Sequence, residues 1–112
     1  MHNAVQDVES LTRARELSRA ALMRIATNAA ITTHQLLDAV AVHIGRQYLS
    51  RILNYSDASM LMNRIMPEAG FELASPGFWE VYLAFEDAEV SDDPDAIARP
   101  RVAAALASLE AA

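Results

Sequence analysis

The sequence predicts an all-α fold of five to six short helices. Three observations point there. Residues 4 to 29 are rich in Ala, Leu, Arg and Glu, the strong helix formers. Two segments, Thr32-Thr33-His34-Gln35 and Ser75-Pro76, have the composition of helix starts. No alternation of apolar and polar residues runs long enough to build a sheet.

The elements follow in chain order. Val8, Leu11, Leu17, Leu22 and Ile25 recur at roughly helical spacing, so 4–29 forms one long helix or two, with Ser10 or Ser18 as the break. Asn28 to Ile31 reads as a helix end. Thr32 and Gln35 match a capping box: the hydroxyl accepts from the amide three residues on, and the Gln reaches back. A helix over 33–41 is expected to follow, then a turn near His43 to Gly45, then a helix over 46–54. Asn54 to Asp57 is turn-like, with Asp57 as N-cap of a short Met-rich helix over 58–66. Pro67 and Gly70 are expected to close it. Ser75 caps the next helix, with Pro76 at its first position. Phe78, Tyr82 and Phe85 share one face of it, with Trp79 beside them. Asp92-Asp93-Pro94 breaks this helix, and 101–111 forms an Ala-rich terminal helix or frays.

Composition bounds the function. The chain has 112 residues, the size of one domain, and 53% of them are apolar, which leaves material for an interface. Cysteine is absent, so disulfides and thiolate metal sites are excluded, and a cytoplasmic location is expected. Asp7 and Glu9 occupy the N-terminal stretch where a signal peptide would need an apolar core. No run of about 18 apolar residues exists to span a membrane. The net charge is −6, unevenly spread. Residues 1 to 66 carry seven Arg against five acids, net +2, and residues 67 to 112 carry two Arg against ten acids, net −8. A mildly basic front can still face DNA, while the acidic back suits a basic partner.

The chemistry-bearing residues do not assemble an enzyme. His34 and His43 have no metal-like spacing, so no metal is expected. Glu86, Asp87, Glu89, Asp92, Asp93 and Asp95 lack calcium-loop spacing, and Pro94 interrupts them, so a solvated helix end is expected. There is no nucleophile elbow, phosphate loop or triad-like set, and no cofactor is expected. Met60, Met62 and Met66 read as core filling.

The helices expected over 33–41 and 46–54, joined by a tight turn, have the layout of a helix-turn-helix. In that motif the second helix lies in the major groove. Leu49, Ile52 and Leu53 would give it an apolar inner face, and Arg46, Gln47, Tyr48, Ser50, Arg51 and Asn54 an outer face of donors.

The segment from Gln35 to Asn54 resembles the helix-turn-helix of the lambda repressor and Cro family. Gln35 and Ala39 match its first helix, and Gly45, Arg46, Gln47, Leu49, Ser50 and Arg51 its second. The close likeness covers about 20 residues, and a looser one runs over 18–88. Two positions depart from the pattern. His43 stands where the family has Gly in the turn, and Asp38 stands where it has an aliphatic residue. Either the first helix shifts by two residues, or Asp38 turns toward solvent or an Arg.

The resemblance implies a dimeric, phage-like transcription regulator that binds double-stranded DNA. Gln35, Arg46, Gln47, Tyr48, Ser50, Arg51 and Asn54 would then contact DNA, and Phe78, Trp79, Tyr82 and Phe85 the second subunit. Trp79, off the Phe78–Tyr82–Phe85 stripe, is the residue of that set most suited to a subunit contact. The matching organisation is a helical extension over 1–17, a helix-turn-helix domain over 18–90, and an acidic linker with a terminal helix or tail over 91–112. The competing expectation is an acidic helical module that binds a protein, such as an inhibitor or adaptor.

Overall fold

Six helices account for nearly all of residues 2 to 111, the part of the chain that the computed structural model describes. They are α1 (His2–Arg13), α2 (Arg19–Asn28), α3 (Thr33–Leu49), α4 (Tyr55–Leu73), α5 (Pro76–Ala88) and α6 (Pro94–Ala111). No strand occurs among the described residues, as expected from the sequence.

Side chains at the starts decide most of the boundaries. The break in the first helical stretch falls at Ser18, whose hydroxyl accepts from Ala21 N at 3.0 Å. The capping box at Thr32 has both arms: Gln35 N to Thr32 Oγ1 at 3.0 Å, and Thr32 N to Gln35 Oε1 at 2.9 Å. Ser75 accepts from Phe78 N at 3.2 Å, and Pro76 occupies the first turn. The cap of α4 is Asn54 rather than Asp57: its Oδ1 accepts from Asp57 N, three residues on, at 2.8 Å. Asp57 lies in the first turn, where a carboxylate favours the helix dipole.

The expected turn at His43 to Gly45 does not form, and α3 continues unbroken to Leu49. Tertiary packing explains this. A Cβ on Gly45 would lie 2.9 Å from Leu106 Cδ1, so the glycine is there to admit a side chain of α6. His43 stays helical with Nε2 3.2 Å from Glu9 Oε2 on α1. The left-handed residue comes later, at Arg51 (φ 64°). Arg51 N bonds to Tyr48 O at 3.1 Å and Ile52 N to Gln47 O at 2.9 Å, which makes a Schellman end. Arg15 (φ 60°) and Ala30 (φ 58°) end α1 and α2 in the same way.

Pro67 and Gly70 do not close α4. Pro67 lies within it, and the kink falls at Gly70 (φ 63°, ψ −178°), after which one more turn forms. Likewise α6 begins at Pro94 and runs through Pro100, longer than the expected 101–111.

One core joins all six helices. It includes Val8 from α1, Leu22 from α2, Leu36 and Ile44 from α3, Leu61 and Met62 from α4, Phe78 and Phe85 from α5, and Val102 and Leu106 from α6. Residues of both flanking segments, among them Val5, Val8, Ala98, Val102 and Leu106, belong to the same core. Fully burying each large apolar side chain contributes roughly 1.5–3 kcal/mol, so these flanking helices are anchored. The radius of gyration is 13.0 Å, about that of a single domain of this length. No helix among the described residues is long and apolar enough to cross a membrane.

Candidate interaction surface

The residues expected to read DNA are spread over different local roles. Gln35 is the return arm of the capping box that starts α3. Arg46 is exposed on α3 and pairs with Glu110 of α6, Nη2 to Oε1 at 2.6 Å. Gln47 is partly exposed, and its carbonyl accepts from Ile52 N and Leu53 N. Tyr48 is only 1% exposed. Ser50 is the C-cap of α3, Arg51 is its exposed left-handed residue, and Asn54 is the N-cap of α4. Of the apolar set, Leu53 is buried and Leu49 partly so, while Ile52 is 70% exposed. The chain leaves helical geometry after Leu49, which turns Ile52 outward.

Helix α6 seals the end of α3. Arg99 donates to Leu49 O at 2.6 Å, a carbonyl that the helix end leaves open, and to Tyr48 O at 3.3 Å, which also accepts from Arg51 N. Its guanidinium carbon lies 5.4 Å from the centre of the Tyr48 ring. Tyr48 donates its phenol to Asp95 Oδ1 at 2.5 Å. Burial, then the bond to the Asp95 carboxylate, push the Tyr48 phenol well above its ordinary range. The Tyr48 ring also meets Phe85 edge-on, with centroids 5.0 Å apart.

Asp38 is the other position where the sequence departs from the family pattern. Its Oδ1 is buried without a hydrogen-bond partner among the described residues. It lies 2.8 Å from where a Cβ of Gly77 would stand, in the first turn of α5.

The expected subunit contact on α5 divides in two. Phe78 and Phe85 are core residues, at 0% and 1% exposure. They share a face with Val81, Ala84 and Ala88, all buried. Trp79 and Tyr82 lie off that face and are partly exposed, together with Leu83 and Glu86. Spacing of i, i+3, i+4 and i+7 makes these four one outward row.

Phe71 completes the surface, and sequence reasoning did not single it out. It is 86% exposed and follows the kink at Gly70. Nothing stands within 4 Å of a Cβ on Gly70, so the glycine serves the left-handed backbone rather than a close approach. That backbone projects Phe71 against Trp79, with ring centroids 5.3 Å apart. Trp79 meets Tyr82 at 5.5 Å, which gives a continuous run of three aromatic rings. A shallow notch lined by Phe71, Ala74, Ser75, Pro76 and Trp79 opens beside it. The signal for this in the sequence was Gly70 directly before a Phe and shortly after Pro67.

The run lies in the acidic part of the chain. Glu72 pairs with Arg19 at 2.5 Å and Asp87 with Arg101 at 2.5 Å. Tyr82 donates to Glu86 Oε1 at 3.0 Å, and Glu80 beside Trp79 is exposed. Burial first, then the Glu86 carboxylate, raise the Tyr82 phenol. No cluster of three or more His, Asp or Glu side chains among the described residues could hold a metal.

Comparison with known proteins adds no relative: no family model, no curated protein and no solved structure matches the chain.

Proposed function

We propose that this chain is a helical protein-binding module whose contact surface is the aromatic run on α4 and α5. The observation that carries the reading is Phe71, 86% exposed and tilted against Trp79. Exposed large aromatics cost free energy in water, and contiguous ones commonly mark interaction sites. Aromatic anchors also dominate binding energy at protein interfaces.

The same reading gains support from the end of α3. A recognition helix needs free donors on one face. Here Tyr48 is buried, Ser50 and Asn54 terminate helices, and Arg46 pairs with Glu110. The net charge of −6 also opposes a polyanion.

Two selections run on the same purified protein test the reading, one from random peptides and one from random duplex DNA. The expected outcome is a peptide consensus and no duplex consensus. An enriched inverted repeat in the duplex pool, with half-sites about 10 base pairs apart, would return the protein to the DNA-binding class.

A further inference from the structure

We infer that the partner at the Phe71–Trp79–Tyr82 surface is a basic amphipathic helix, an inference that rests on the protein-binding reading above. Three observations lead to it.

The first is charge. Helices α4 and α5 carry the acids Asp57, Glu68, Glu72, Glu80, Glu86 and Asp87 against a single cation, Arg64. Arg64 points its guanidinium at Thr12 O and Arg13 O, at 3.3 and 3.4 Å, and so serves the end of α1. Among the described residues no cation pairs with Glu80 or Glu86, while Glu72 and Asp87 are already neutralised. The carboxylates left over on α5 flank the aromatic run. They repel an anionic membrane or a phosphate backbone and attract Arg and Lys. A second copy of this chain would bring its own Glu80 and Glu86 toward the same acids, which opposes self-association there.

The second is ring chemistry. Trp79 and Phe71 offer aromatic faces beside those carboxylates. An Arg of the partner can stack on Trp79 while bonding a neighbouring carboxylate, which combines cation–π and charge-assisted contacts.

The third is shape. No strand edge exists among the described residues, so an extended segment has no ladder to join. The outward row of Trp79, Tyr82, Leu83 and Glu86 follows one helix face. A second helix laid along it would present apolar residues at i, i+3, i+4 and i+7, with one anchoring in the notch lined by Phe71, Pro76 and Trp79.

Trp79 is the sole tryptophan of the chain, so its emission reports on the site directly. The test titrates the full chain with two synthetic helical peptides. They share one Leu stripe and differ only in polar residues, Arg in one and Glu in the other. The expected result is a saturable change in Trp79 emission with the Arg peptide, at least about tenfold tighter than with the Glu peptide at low salt. The gap should narrow at about 0.5 M salt, where screening is strong. Phe71→Ser, at an exposed position, should abolish the response, and Glu80→Gln with Glu86→Gln should reduce the gap. Equal affinity for both peptides overturns the basic partner while leaving the protein-binding reading in place. Arg-peptide binding that leaves Trp79 silent and survives Phe71→Ser overturns this site. An emission shift that grows with protein concentration alone assigns the surface to a second copy and overturns the inference. Silence with both peptides overturns the inference, and a duplex consensus in the selection beside it overturns the protein-binding reading as well.

Discussion

Tyr48 at the end of α3 donates its phenol to Asp95 in the first turn of α6, with the oxygens 2.5 Å apart. The contact joins a buried ring to an exposed carboxylate on a helix distant in sequence. With Arg99 on the carbonyls of Tyr48 and Leu49, it holds α6 over the segment that resembles a recognition helix.

Tyr48→Phe removes the phenol and leaves the ring in place. Asp95 is exposed and water can solvate it, so the cost should fall near the low end for a bond to a charged group, about 1–2 kcal/mol. Urea unfolding of the variant checks this. Asp95→Asn keeps an acceptor and should cost less.

High pH should weaken the fold. Burial raises the phenols of Tyr48, Tyr55 and Tyr82 above their ordinary value. The folded state therefore holds these protons more tightly than the unfolded chain. The stabilisation is complete below the ordinary pKa of about 10 and is lost as pH rises above it. Urea midpoints should stay level from pH 8 to about 9.5 and fall beyond it, and Tyr48→Phe should flatten the fall.

Three non-glycine residues occupy left-handed helix ends: Arg15, Ala30 and Arg51. Each L-residue there costs roughly 1–2 kcal/mol, which glycine avoids at some entropic cost. Arg51→Gly should thus stabilise the chain by about 0.5–1 kcal/mol, and Ala30→Gly similarly. Gly70→Ala should do the reverse, losing about 1–3 kcal/mol, because φ 63° with ψ −178° is a region that glycine alone occupies readily. Thermal unfolding of the set gives the signs.

Gly77 tests the packing of α6 on α5. A Cβ there would stand 2.1 Å from Leu109 Cδ2 and 2.8 Å from Asp38 Oδ1. Gly77→Ala should cost about 1–3 kcal/mol by overpacking. Leu109→Ala should relieve part of that cost, so a double-mutant cycle should show positive coupling.

Local signals in the sequence located three helix starts, while at the fourth the cap is Asn54 and not Asp57. Thr32 with Gln35, Ser18 and Ser75 with Pro76 all cap as their types demand. Signals that depend on distant partners misled. Gly45 looks like a turn residue until Leu106 is seen against it, and His43 gains Glu9 from another helix. Tyr48 looks like an exposed donor until α6 covers it. On α5 the sequence separated Trp79 from a Phe78–Tyr82–Phe85 face, and the structure places Trp79 partly outside the core but Tyr82 beside it, off the buried Phe78–Phe85 face. Phe71 escaped notice because its exposure follows from the backbone of Gly70, which residue type alone does not reveal.

The most direct measurement repeats the peptide selection on two variants, Phe71→Ser and the double change Arg46→Ala with Gln47→Ala. If the aromatic run is the binding surface, the peptide consensus disappears with Phe71→Ser and persists in the double variant. A consensus that survives Phe71→Ser and vanishes with Arg46→Ala and Gln47→Ala would contradict that placement and return function to the end of α3.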